Sequence, residues 1–384
     1  MKFSSERILT THVGSLPRSA AVTDMVFARE QGREVASHEF EQVIAAAVRE
    51  VVARQNEARV DVVSDGEMSK ISYATYIKDR LTGFDGDSPR NPPRDLEDYP
   101  EYLKKLASSG GTPHYRRPRC VGPIAGKDPQ PLRDDMTWLK DALAHAPASE
   151  AFMNAASPGV IALFQPNDHY ESYESYLSAI ADAMQEEYEA IVGSGLLLQI
   201  DSPDLGLGRH TLFKNCSLDE YQKLASLHVE VLNQALRNCP AERVRMHICW
   251  GNYEGPHHHD VPMEVVLPIA LRAKPQALLF EFSNPRHAHE WTVFRESRIP
   301  ADKILIPGVI DSVSNFIEHP LLVAERIQRF ADIVGRERVI AGTDCGFASF
   351  AGFGVVDCEI VYAKLRALAD GAQIASERLW RAGP

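Results

Sequence analysis

His247 and Cys249 stand two residues apart at the end of an apolar run, residues 244–249. Side chains alternate along a β-strand, so residues two apart share a face. An imidazole and a thiol are therefore presented together. The next apolar run, residues 277–282, admits one carboxylate, Glu281, and the last, residues 339–345, ends on a second thiol, Cys345. One nitrogen, two sulfurs and one carboxylate suit a tetrahedral Zn2+ site of borderline-soft character. Each residue also has an ordinary reading, because buried free cysteines often fill core space as small hydrophobes. The coincidence of four such residues at the ends of similar runs favours His247, Cys249, Glu281 and Cys345 as metal ligands. Cys120, Cys216, Cys239 and Cys358 lack that context and are expected to be structural.

Positioning such a set takes elements that end in one place. Apolar runs occur at residues 8–15, 60–67, 159–165, 196–201, 244–249, 277–282, 304–311 and 339–345. Each is rich in Val, Ile, Leu or Phe and short enough for a buried parallel strand. Helical patterns fall between or after them, at residues 38–55, 173–192, 218–237, 319–334 and 356–377. Ser217 with Glu220 predicts a capped helix start. Alternating strands and helices predict an α/β fold, a (β/α)8 TIM barrel. A doubly wound sheet is disfavoured because no GxGxxG opens a helix. Barrel active sites lie at the C-terminal strand ends. Those ends also carry Gly14, Ser15, Asp65, Glu67, Gln165, Asn167, Asp201, Asp204, Asn284, Asp311 and Asp344. Residues 83–119, rich in Pro, Gly and charge, break the rhythm and read as an inserted lid, with a short helical piece near 102–106. Residues 119–125 read as a strand in a side hairpin, and the whole chain, 1–384, as a single catalytic barrel.

Composition narrows the classes. The chain has 384 residues, 44% hydrophobic and 24% charged, which suits a globular protein with a sizeable core. A net charge of −12 argues against a broad nucleic-acid surface. No apolar run is long enough to span a membrane, and the first residues lack a signal-peptide stretch, so a cytoplasmic location is expected. Six cysteines are too few for a disulfide scaffold.

Several of these segments resemble one family. THVGSLPR (11–18), SDGE (64–67), QID (199–201), HIC (247–249), the Glu281 strand and TDCG (343–346) follow the order seen in cobalamin-independent methionine synthase. The resemblance covers nearly the whole chain and corresponds to that family's C-terminal catalytic barrel. It points to the short single-barrel branch, without the N-terminal barrel, which includes epoxyalkane:coenzyme M transferase. It implies that His247, Cys249, Glu281 and Cys345 bind zinc. It further implies that the region of Ser15 holds the homocysteine carboxylate, and that Glu67 and Asp201 bind its amino group. Both acids also have a structural reading, as bridges between neighbouring strands. Two departures stand out. The family's DEPAL motif reads Asp201-Ser202-Pro203-Asp204-Leu205, losing its second acid, and Val313 stands where the family has a catalytic histidine. A folate leaving group needs a proton on nitrogen, and the absence of that histidine removes the family's general acid.

Other residues are candidates for substrate contact. Arg286 and His287, after the 277–282 run, could replace the lost acid or neutralise an anion; Arg18, Arg209 and His210 could do the latter. His257, His258 and His259 could bind a second metal, although a polar surface loop is the simpler reading. His12 could face the barrel core, and Tyr73 and Tyr76 could wall the pocket or simply pack. The expected activity is zinc-dependent alkylation of a thiol, with methyl transfer to homocysteine or a similar thiol foremost. Ring opening of an epoxide by coenzyme M is the alternative, and a zinc-free barrel like uroporphyrinogen decarboxylase is the reading from another class. Partners are a small-molecule thiol and an alkyl donor, with a homo-oligomer left open.

Overall fold

In the computed structural model, eight parallel strands form one sheet: β1 (Leu9–Thr10), β2 (Val62–Ser64), β3 (Glu150–Ala156), β4 (Leu197–Asp201), β5 (Val244–His247), β6 (Ala277–Phe280), β7 (Ile304–Ile310) and β8 (Ile340–Thr343). The structure describes residues 1–89, 92–108 and 115–381. Neighbours pair in sequence order from β2 to β8, and β8 pairs with β1. A parallel bridge between Thr11 and Val62 joins β1 to β2 and closes the ring. The fold is a (β/α)8 barrel.

Period-two burial explains why these runs are strands. On β6, Leu278 and Phe280 pack outward into the core shared with the helices, while Ala277 and Leu279 pack inward with Ile304 and Ile306 of β7. Burying each such aliphatic side chain stabilises the barrel by about 1.5–3 kcal/mol. On β5, Val244 and Met246 take the outward positions. Alternation then turns Arg245 and His247 inward. Arg245 fills the interior as a buried cation, donating to Thr11 Oγ1 (2.8 Å) and His12 O (2.6 Å) over the Phe152 ring. His12 faces the interior as well, its Nε2 2.7 Å from Gln55 Oε1.

Serines begin several helices. Ser217 and Glu220 form the expected capping box on Leu218–Ala235, and Ser172 with Ser175 caps Tyr173–Gly193. Each satisfies donors otherwise left open at a helix start.

One expected strand is a helix. Residues 159–165 belong to Pro158–Phe164, capped by Ser157, whose hydroxyl accepts from Val160 N at 3.0 Å. The third strand lies earlier, at Glu150–Ala156. A short, fully buried apolar run has no periodicity to separate the two states. Ser157 followed by Pro158 at the first helical position decides it. Gln165 and Asn167 are consequently not strand ends; their side chains bond Ala74 O and Tyr170 O.

The 83–119 insertion leaves the barrel through a small antiparallel hairpin, Phe84–Asp85 with Arg119–Cys120. It carries the helices Arg94–Glu97 and Pro100–Ser108, while residues 90–91 and 109–114 of it lie outside the described residues. Its described part docks on the loop after β5: Tyr253 OH donates to both Asp95 oxygens (2.9 and 2.8 Å), and Tyr102 OH donates to Glu254 O (2.8 Å). Among the described residues no helix is long and apolar enough to cross a membrane. All six cysteines are free thiols.

Candidate metal and substrate site

His247 ends β5, Cys249 follows on the same face, and Cys345 lies two residues beyond β8. All three are buried, and their ligand atoms lie within 4.8 Å of one another. The two sulfurs are 3.7 Å apart, too far for a disulfide. Two thiolates held at about 2.3 Å by one tetrahedral ion stand about 3.8 Å apart. Among the described residues neither ring nitrogen of His247 has a hydrogen-bond partner, an expensive condition for a buried imidazole. Burial, reinforced by the Arg245 charge, pushes the His247 pKa down to about 3, so the ring is neutral, as a ligand must be. The hydrogen bond to Cys345, then burial, holds the Cys249 thiol well above its ordinary range. A dithiol with an unpartnered imidazole fits a soft or borderline divalent cation.

Glu281 follows β6 but stands outside this three-atom group. Its Oε1 accepts from Trp250 N (2.9 Å) and its Oε2 from Asn284 Nδ2 (2.8 Å). Asp344 braces the turn after β6 by accepting from the backbone of Phe282 (2.9 Å), Ser283 (2.8 Å) and Asn284 (2.8 Å). Asn252 ties three loops together, donating to Gly346 O (2.7 Å) and Ser349 Oγ (2.9 Å) and accepting from Ser312 Oγ (3.1 Å). Sequence reasoning picked out Asn284 as a strand-end residue but passed over Asn252; its position soon after a strand end was the available signal.

A second polar group is built from β2, β3 and β4. Glu67 sits in the SDGE turn at φ +58°, a left-handed conformation rare outside glycine. Asp65 Oδ1 accepts from Glu67 N (3.0 Å), and Arg18 grips the turn through Glu67 O (2.7 Å), Lys70 O (3.1 Å) and Ala348 O (2.8 Å). Glu67 Oε1 is buried without a hydrogen-bond partner among the described residues. Asp201 ends β4 and accepts from Asn154 Nδ2 (2.9 Å) and Gln199 Nε2 (2.8 Å). Burial raises both acids, Glu67 to about 7 and Asp201 to about 6; Asp201 adds to the rise at Glu67, and Lys70 opposes both. Asn154 was not foreseen, because its strand was misplaced.

Tyr73 spans the two groups. Burial raises its phenol pKa, and the charges of Cys249, Cys345 and Asp201 all act on it. Its ring packs between Phe164 and Phe350, both 5.7 Å away. Ser15 is buried beside the second thiol: its carbonyl accepts from Phe347 N (2.9 Å), and a Cβ at Gly346 would overlap its hydroxyl.

The remaining candidates are engaged elsewhere. His287 is buried with Nδ1 2.7 Å from Glu290 and Nε2 2.9 Å from Asp260. Burial opposes its charge, but the two acids prevail and raise its pKa to about 10. Arg286 is exposed, and Arg209 donates to Phe213 O (3.2 Å). His210 lies 3.4 Å from Asp260. Asp204 is spent on His228 (2.8 Å) and Ser157 (2.8 Å). Tyr76 donates to Glu187 (2.7 Å). The large cavity of about 1380 Å3 bordered by Arg29, Lys78 and Arg80 is on the flank and includes none of the thiols.

Comparison with known proteins finds similar chains along nearly the whole length. The catalytic domain of cobalamin-independent synthase matches residues 8–88. A methionine synthase of Saccharolobus solfataricus is 25% identical over 380 residues, covering 97% of this chain and 96% of that protein. Over most of its length the chain is similar to cobalamin-independent methionine synthases. A methionine synthase of Thermococcus kodakarensis is 22% identical over 377 residues, covering 97% of this chain and 95% of its own length. Among solved structures, a B12-independent methionine synthase from Shewanella sp. W3-18-1, in complex with selenomethionine, superposes with TM-score 0.74 at 19% identity, covering 98% of this chain and 99% of that one. The putative vitamin-B12-independent methionine synthase of Listeria monocytogenes superposes with TM-score 0.65 at 18% identity, over 96% and 98% of the two chains.

Proposed function

We propose that this protein transfers a methyl group to the sulfur of homocysteine or a closely similar amino-acid thiol, with zinc held by His247, Cys249 and Cys345. The observation that carries this reading is the buried dithiol–imidazole group near a buried pair of carboxyl residues. The relatives' name and the selenomethionine in the Shewanella structure support a thiol amino acid. When bound, zinc lowers the pKa of the substrate thiol and keeps a thiolate at neutral pH.

The chain's own residues then position and select. Glu67 Oε1, which has no hydrogen-bond partner among the described residues, accepts an N–H from the substrate ammonium. Asp201, fixed by Asn154 and Gln199, accepts another. The ammonium also stabilises the ionised form of two acids that burial disfavours, so binding and ionisation reinforce one another. Backbone around Ser15 meets the substrate carboxylate, and Tyr73 closes the side between the amino and sulfur ends. Glu281, hydrogen-bonded to Trp250 N and Asn284, would offer the ion a fourth donor. The sulfur lone pair forms the new S–C bond as the methyl carbon leaves its donor with the bonding electrons on the donor atom. We also propose that residues 1–384 act as one catalytic domain, with the 83–119 insertion covering the barrel mouth.

The coenzyme M alternative needs a cation for its sulfonate. Arg18 is committed to three carbonyls and Arg286 is exposed, so neither supports it. A zinc-free barrel has no use for the three converging ligands. The test is metal content together with zinc-edge absorption, with and without homocysteine and coenzyme M, followed by methyl-transfer assays against a panel of donors. About one sulfur-ligated zinc per chain, gaining a third sulfur on adding homocysteine, is the expected result. A metal-replete protein without sulfur-ligated zinc overturns the reading.

A further inference from the structure

A second cluster of metal-ligating atoms lies on the surface. His258 Nε2 is 2.9 Å and His259 Nε2 2.6 Å from the same oxygen of Asp98. The three ligand atoms lie within 4.8 Å of one another. Both histidines belong to the loop after β5. Asp98 caps the insertion helix Arg94–Glu97, some 160 residues earlier. The loop is stiff where it must be. His257 turns the chain at φ +52°, its N–H donates to Asp95 Oδ2 (2.9 Å), and its ring stacks on Tyr253. The next two imidazoles are thereby set side by side, ring centroids 4.2 Å apart. Hydrogen bonds from His259 and His258 hold the Asp98 carboxyl below its usual range, so it is anionic. All three side chains remain between 29% and 47% exposed, open to an ion from solvent.

We propose that Asp98, His258 and His259 form a second metal site, for a borderline divalent cation such as Zn2+, Ni2+ or Co2+, with water completing the shell. Two imidazoles and one carboxylate are a donor set for such ions and a poor one for Mg2+ or Ca2+. Binding exchanges the two Nε2–H donors for lone pairs, each ring carrying its proton on Nδ1 instead. Arg94 and Arg209 border the adjoining cavity of about 310 Å3 and oppose a cation; Asp98 and Asp260 offset them. The ion would clasp the insertion to the loop that leads directly from Cys249, fixing the cover over the barrel mouth.

This site does not depend on the thiol site, and different variants separate the two. The full chain is dialysed to equilibrium against Zn2+ alone, and zinc per chain is measured for the wild type, the His258→Gln/His259→Gln double variant, Asp98→Asn and Cys249→Ser/Cys345→Ser. The histidine variant should bind one zinc fewer than the wild type and keep sulfur-ligated zinc. The cysteine variant should keep one zinc with only nitrogen and oxygen neighbours at the zinc edge. In that background Zn2+ should slow tryptic cleavage at Lys104 and Lys105, and Asp98→Asn should abolish the protection. Unchanged stoichiometry and affinity in the histidine variant, or no zinc in the cysteine variant, overturns the proposal.

Discussion

Replacing Glu67 by Gln should make the free protein more stable and its substrate binding weaker. Burial raises the Glu67 pKa from 4.5 to about 7. An acid raised in the folded state ionises first in the unfolded chain. Its contribution is therefore fully present below pH 4.5 and is lost as pH rises to about 7. A shift of that size is about 3 kcal/mol at ~1.36 kcal/mol per unit. Gln keeps the shape and removes the titration. Urea denaturation of both proteins in parallel cancels the other groups: the difference in stability should open from near zero at pH 4.5 to about 3 kcal/mol in favour of the variant above pH 7. Part of that gain comes through Asp201, which ionises more easily once Glu67 is neutral. The ammonium meanwhile loses a charge-assisted hydrogen bond, about 1.5–3 kcal/mol, or roughly 10- to 150-fold in homocysteine affinity at neutral pH. A variant no more stable than the wild type at pH 8 refutes the electrostatic argument. Unchanged homocysteine binding refutes the ammonium assignment instead.

Other perturbations separate the parts of the site. Cys249→Ser or Cys345→Ser should remove bound zinc and activity while circular dichroism still reports a folded barrel, because the pair sits at strand ends and not in the packing layers. Gly346→Ala pushes a methyl group into the Ser15 hydroxyl, so calorimetry should read a loss of about 1–3 kcal/mol and homocysteine should bind more weakly. Asp204→Ala strands His228 and Ser157 in the core, lowering stability by about 2–3 kcal/mol with metal content unchanged. For His287 the sign runs from its pKa, raised from 6.5 to about 10: stability should decline as pH climbs through that interval, and His287→Gln should flatten the slope while lowering stability below it.

Much of the architecture could be read locally. Short apolar runs ending in polar residues marked seven of the eight strands, because burial on both faces of a parallel strand leaves a near-continuous hydrophobic string. Ser217 and Glu220 announced their helix, because a capping box is satisfied by residues three apart. The same locality paired His247 with Cys249 on one face, and strand order alone brought Cys345 round to them once the ring closed.

What the tertiary structure decided was how each polar group is partnered. Arg18 has the look of an anion receptor in sequence and spends its guanidinium on three carbonyls from two loops. His287 looks free and is clamped by Asp260 and Glu290. Glu281 accepts a hydrogen bond from a backbone amide of the neighbouring loop. His258 and His259 acquire Asp98 only because the insertion folds back across about 160 residues. Hydrophobic periodicity is a property of neighbouring residues and survives in the sequence. The partner of a buried donor or acceptor is chosen by whatever distant backbone packs beside it, and the sequence carries no period for that.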